Sequence, residues 1–111
     1  MPIMEISIVP LGTGTPSVSR HVASCVEILR NRRGIRYEPT AMGTIMESDS
    51  LSTLMRMAGK MHTSVFSHGV QRVVTTIKID DRRDKALSIE GKVKSVHLKI
   101  KKVRRKTVRS A

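Results

Sequence analysis

The spacing of apolar residues changes along this chain in a definite order, and that order restricts the fold more than any other feature. Met4-Glu5-Ile6-Ser7-Ile8-Val9 alternates with a period of two and is rich in β-branched residues, the pattern of a strand. Pro10 to Pro16, PLGTGTP, reads as a turn-rich loop. Val22, Cys25, Val26 and Leu29 then recur at helical spacing. Ser17 offers an N-cap hydroxyl for that helix, which should end near Arg32 with Gly34 at its C-terminal cap. Two short extended segments follow, residues 35–38 and 44–47, with Pro39 and Gly43 marking a turn between them. Leu51, Leu54, Met55, Ala58, Met61, Val65 and Phe66 outline a second helix, capped by Asp49 or Ser50 and ended by Gly69. Arg72 to Ile79, RVVTTIKI, is the strongest strand pattern in the chain. A last, short helix is expected from about Ser88, carrying Val93 and Val96.

The order β, α, β, β, α, β predicts a ferredoxin-like α+β sandwich. Right-handed crossovers place both main helices on one face of a four-stranded antiparallel sheet, with strand 1 in the interior and the short helix appended. A length of 111 residues fits one domain with a modest core. Tyr37 and Phe66 are the whole aromatic content, so Ile, Val, Leu and Met must fill that core. A small aliphatic core gains by burying another face against a copy of itself, and a homo-oligomer is expected.

The period of two also assigns faces. Ile6, Ile8, Ile35, Tyr37, Ile45 and Val73 should meet the helices, together with Ile77 and Ile79. The opposite, helix-free face should then carry Val9, Met46 and Val74 among Glu5, Ser7, Arg36, Glu38, Thr44, Thr76 and Lys78. Such a face is too apolar for comfortable solvation and too polar to be buried without hydrogen-bond partners. A subunit partner and a ligand would satisfy it together.

The chain's net charge is +12, and more than half of the excess lies in residues 99–111, KIKKVRRKTVRSA. That segment reads as a solvated basic tail, which sets a domain at residues 1–98 and the tail at 99–111. Nucleic-acid binding by the tail is the alternative function. An RNA-reading sheet needs exposed aromatics for base stacking, and the inferred open face has none.

Enzymatic signatures are weak. Gly12-Thr13-Gly14 lacks the third glycine of a dinucleotide fingerprint and the Lys of a phosphate loop. His21, His62, His68 and His97 show no ligand spacing, so no metal and no cofactor is expected. Cys25, the single cysteine, falls within a helical apolar pattern and reads as a small core residue. With neither a signal-like segment nor a run of 18 apolar residues, the expected location is the cytoplasm.

Four segments in order, MEISIVPLGTGTPSVS, YEPTAMGTIMES, RVVTTIKIDDRRDK and EGKVKSV, resemble the thiamine-binding, YkoF-like family over roughly residues 3–98. The resemblance implies a ferredoxin-like fold, assembly as dimers or tetramers, and non-catalytic binding of thiamine or its hydroxymethylpyrimidine part. Thr44 and Glu47 match the family's Thr-x-x-Glu segment. An aminopyrimidine presents an amine donor and ring-nitrogen acceptors, which hydroxyls and carboxylates complement. The candidate ligand-binding set is therefore Thr44 and Glu47, joined from the strand pattern by Glu38, Thr76 and Ser7. No catalytic residue is expected.

Overall fold

A computed structural model describes the backbone of residues 1–110 and the side chains of residues 1–102. Its elements are β1 (Ile3–Leu11), α1 (Ser19–Glu27), β2 (Ile35–Pro39), β3 (Thr44–Ser48), α2 (Leu51–Val65), a 3-10 turn (Phe66–His68), β4 (Arg72–Asp80) and α3 (Ile89–Ser110). The strands form one antiparallel sheet in the order β2-β3-β1-β4, with β1 in the interior as expected. This is the ferredoxin-like α+β arrangement.

The helices begin and end for local reasons. The Ser50 hydroxyl accepts from the Thr53 N–H at 3.3 Å and caps α2. Gly69 closes the following turn in the left-handed region, with φ of 78°, where residues with a Cβ are strained. Helix α1 is shorter than its apolar pattern suggested. It ends at Glu27 rather than near Arg32, and Val18, not Ser17, stands at its N-cap without a side-chain bond. Met4, Ile6, Leu29, Met46, Leu54, Met61 and Val65 are all under 2% exposed or nearly so, and form the core between the sheet and the two helices. Each contributes about 1.5–3 kcal/mol by leaving water.

The register corrects the face assignment of β3. Met46 pairs with Met4 and Thr44 with Ile6, and these residues point toward the helices. Ile45 and Glu47 occupy the other face. The expectation that Thr44 and Met46 lie on the helix-free face is therefore overturned. The other strands keep the expected phase, with Ile35 and Tyr37 of β2 and Ile8 and Val73 packed against the core. Ile77 and Ile79, expected to meet the helices, are instead 38% and 40% exposed on the edge strand and lie outside the core.

A second correction concerns that other face, which is not free of helix. Helix α3 has 22 residues rather than a few turns, and its first turns dock over β3 and across the sheet, from Arg36 of β2 to Asp80 of β4. Ile89 and Val93 stand beside Ile3 and Ile45 there. The side chain of Lys92 pairs with Asp80. Helix α3 runs on through Lys99, with exposed side chains as far as Lys102. The expected basic tail thus continues this helix, and its side chains from residue 103 lie outside the described residues. No helix among the described residues is long and apolar enough to cross a membrane.

Candidate functional site

Strand β1 outruns β3. Its last pair with β3 is Ile6 with Thr44, whereas its pairing with β4 continues to Leu11. One side of the β1 backbone beyond Ile6 therefore has no strand partner. The β2–β3 turn folds over this gap, held by Thr40 N–H and hydroxyl donating to the Gly43 carbonyl at 2.7 and 2.8 Å. The start of α1 closes the third side. Between them lies a cavity of about 260 Å³.

The floor of this cavity is mostly apolar, from Ile8, Val18, Val22 and Met61. Thr44 supplies a hydroxyl from a residue only 4% exposed. Ser7 borders the cavity as part of the β1 edge with its side chain on the other face, and the Thr40 hydroxyl is held within the turn by Gly43 and Met42. Cys25 also borders it. Its thiol donates toward the Met61 carbonyl at 3.5 Å, and burial pushes its pKa up, so it is a thiol rather than a thiolate nucleophile. Val18, Val22 and Ala41 are shared with a shallower groove along α1 that reaches Glu27. The space thus continues from a confined pocket to a carboxylate at the surface.

Gly43 is required here by proximity. A Cβ at this position would stand 2.9 Å from the Ile6 carbonyl oxygen, a backbone atom that cannot swing away. Gly43→Ala is expected to lift the turn off β1 and lower stability by about 1–3 kcal/mol, the usual cost of overpacking. Thermal unfolding of the variant checks this.

The five residues singled out in the sequence do not converge. Thr44 and Ser7 border the cavity just described. Glu47 lies on the opposite face of β3 from Thr44, as an odd separation along a strand demands. It is 2% exposed and both of its oxygens are engaged. Oε2 accepts from the Ile89 N–H at 2.6 Å, at the start of α3, and Oε1 lies 3.7 Å from Arg36. Glu38 borders a groove between β2 and α3 together with Tyr37, Lys94 and His97. Thr76 sits across from Ser7 on the sheet and is exposed.

One constellation escaped sequence reasoning. His21 and His68, 47 residues apart, bring their Nδ1 atoms to 3.0 Å. His21 is 4% exposed, and burial, then Arg20, then His68 push its pKa below the ordinary value, favouring the neutral ring. No sequence signal links these residues, because the contact exists only once α1 and the turn after α2 are packed side by side.

A ferredoxin-like sheet with a small, mainly apolar cavity at one end of it defines an α+β protein with a pocket beside its interior strand. The chain belongs to the thiamine-binding protein family, which it matches over residues 4–97. It is 44% identical over 96 residues to a UPF0045 protein of Methanothermobacter thermautotrophicus, covering 86% of this chain and 96% of the relative. A solved hypothetical protein of Methanocaldococcus jannaschii superposes with a TM-score of 0.78 at 38% identity, over 86% of this chain and 95% of that one. A Thermotoga maritima protein assigned provisionally to thiamine biosynthesis or salvage shares the fold, with a TM-score of 0.70 at 18% identity, over 86% of this chain and 97% of that one.

Proposed function

We propose that this protein binds thiamine, or its hydroxymethylpyrimidine part, reversibly and without chemistry, in the cavity between β1, the β2–β3 turn and α1. The observation that carries the reading is the hydroxyl of the buried Thr44 in a mainly apolar pocket. A pyrimidine ring fits apolar walls, while its amine and ring nitrogens need a few placed hydroxyls and backbone groups. Thr44 and the unpartnered side of the β1 backbone at Ser7 supply them. The cationic thiazolium would extend along the α1 groove toward Glu27. In this reading Glu47 holds α3, and Glu38 and Thr76 stay outside the pocket.

The same reading places the protein in the cytoplasm as a homo-oligomer, a dimer of dimers. Val9 and Val74 are cross-strand neighbours on the sheet face beyond α3, 40% and 46% exposed, and a second copy would bury them. Chemical-shift mapping by NMR tests the site. Hydroxymethylpyrimidine should move the amides of Thr44, Ser7 and Val22 and leave Glu38 and Thr76 in place. Shifts confined to β2 and α3 would move the site to the other face.

A second reading rests on α3. Lys94, Lys99, Lys101 and Lys102 are exposed along a helix that carries the molecule to a length of 58 Å. Weak, salt-sensitive nucleic-acid binding would be an added property of that arm. Removing residues 99–111 is expected to leave the melting temperature and vitamin binding unchanged, because α3 docks through its first turns. The same truncation should abolish most affinity for nucleic acid in a filter-binding titration. Unfolding of the truncated chain would make the rest of α3 part of the fold.

A further inference from the structure

We propose that His21 and His68 form a two-nitrogen site for a divalent metal ion of tetragonal preference, Cu(II) foremost. The site lies in a cavity of about 480 Å³ between the β1–α1 loop and the turn after α2, away from the pyrimidine pocket. Its walls are polar, with Thr13, Thr15, Ser17 and Arg20 beside the two imidazoles.

The donors point to the ion class. The two Nδ1 atoms are 3.0 Å apart. Nitrogens each about 2.0–2.1 Å from one ion and separated by that distance subtend about 90–100° at it. That is the cis angle of a square-planar or octahedral ion, but 3.0 Å is also a hydrogen-bond length and His68 can turn, so the neutral imidazole donors rather than the spacing carry the choice of ion. Neutral imidazole donors suit Cu(II) and then Ni(II), and Cu(II) also stands highest in intrinsic affinity among the divalent ions.

The mobility of the two rings differs in a useful way. His21 is buried on α1 and held in place, whereas His68 is exposed on a 3-10 turn and free to make the small rotation that aims its lone pair at an ion. Without metal, one imidazole donates its Nδ1 proton to the other. On coordination that proton moves to Nε2 of the same ring through solvent. Both rings stay neutral and no net proton is released. Neither a carboxylate nor a thiol borders the cavity among the described residues, so the remaining coordination positions fall to water and the threonine hydroxyls. Two protein donors make the ion exchangeable rather than structural.

The purified full-length chain should be titrated with Cu(II), following the visible d–d band and the electron paramagnetic resonance spectrum. The expected result is one ion per chain with hyperfine splitting from two nitrogens. His68→Ala should weaken binding by about ten-fold or more and leave one nitrogen in the spectrum, while circular dichroism stays unchanged because His68 is exposed. His97→Ala, on α3, should change nothing. Ni(II), which leaves the Cys25 thiol intact, should follow the same pattern in calorimetry. Equal Cu(II) affinity in the wild type and His68→Ala, or loss of binding in His97→Ala instead, would overturn the site and leave the pair as a hydrogen bond only.

Discussion

Glu47→Ala is expected to release the start of α3 from the sheet and to destabilise the protein by about 1–3 kcal/mol, the cost of leaving a buried hydrogen-bond partner unsatisfied. The carboxylate is 2% exposed and accepts from the Ile89 N–H at 2.6 Å. It meets the positive end of the helix, where an anion is favoured. Its ion pair with Arg36 adds little, because that side chain is 69% exposed and water screens the interaction. Glu47→Gln keeps an acceptor and loses only the charge, so its loss should be smaller. For a domain near this size each kcal/mol lowers the melting temperature by about 4–8 °C. Hydrogen exchange should quicken first at Ile89. A variant as stable as the wild type, with Ile89 still protected, would show that α3 is held by other contacts.

Thr44→Val should act in the opposite manner, sparing the fold and damaging binding. Valine is at home in a strand and keeps the shape of threonine, so the pocket remains. The variant lacks the hydroxyl that faces the ligand. One desolvated polar partner lost costs about 1–3 kcal/mol, or about five- to more than a hundred-fold in affinity. Thermal unfolding should change little while the dissociation constant for hydroxymethylpyrimidine rises by roughly ten-fold or more. Full retention of affinity would remove Thr44 from the site.

The contrast between these two residues shows how much of the molecule was legible in its sequence. Element order, strand pairing and the interior place of β1 followed from the periodicity, since one-sided strands and amphipathic helices announce themselves. Strand β3 did not, because both of its faces are covered. Ile45 and Met46 are neighbours and both apolar, so alternation alone cannot choose between them. Pairing of Met46 with Met4 decides it, and that is a tertiary fact. Taking Ile45 as the core residue displaced Thr44 and Met46 to the wrong face.

The cover on the second face was hidden for a related reason. Helix α3 is rich in lysine and carries Gly91, and its apolar residues Val93 and Val96 remain about half exposed. Its docking depends on a few contacts at the first turns and on Glu47, far away in sequence. The candidate site was legible in part. Thr44 and Ser7 border one cavity, but the cavity itself arises because β1 outruns β3, which no local pattern encodes. The histidine pair, with its partners 47 residues apart, was not legible at all.

On the proposed function, this chain holds a pyrimidine in the pocket beside Thr44 without transforming it. Isothermal titration calorimetry with hydroxymethylpyrimidine and with thiamine, on the wild type and on Thr44→Val, tests it most directly. The expected result is saturable heat with both ligands at one site per chain, recovery of each ligand unchanged by mass spectrometry, and a loss of roughly ten-fold or more in the variant. No heat and no thermal shift with either compound at millimolar concentration would contradict it.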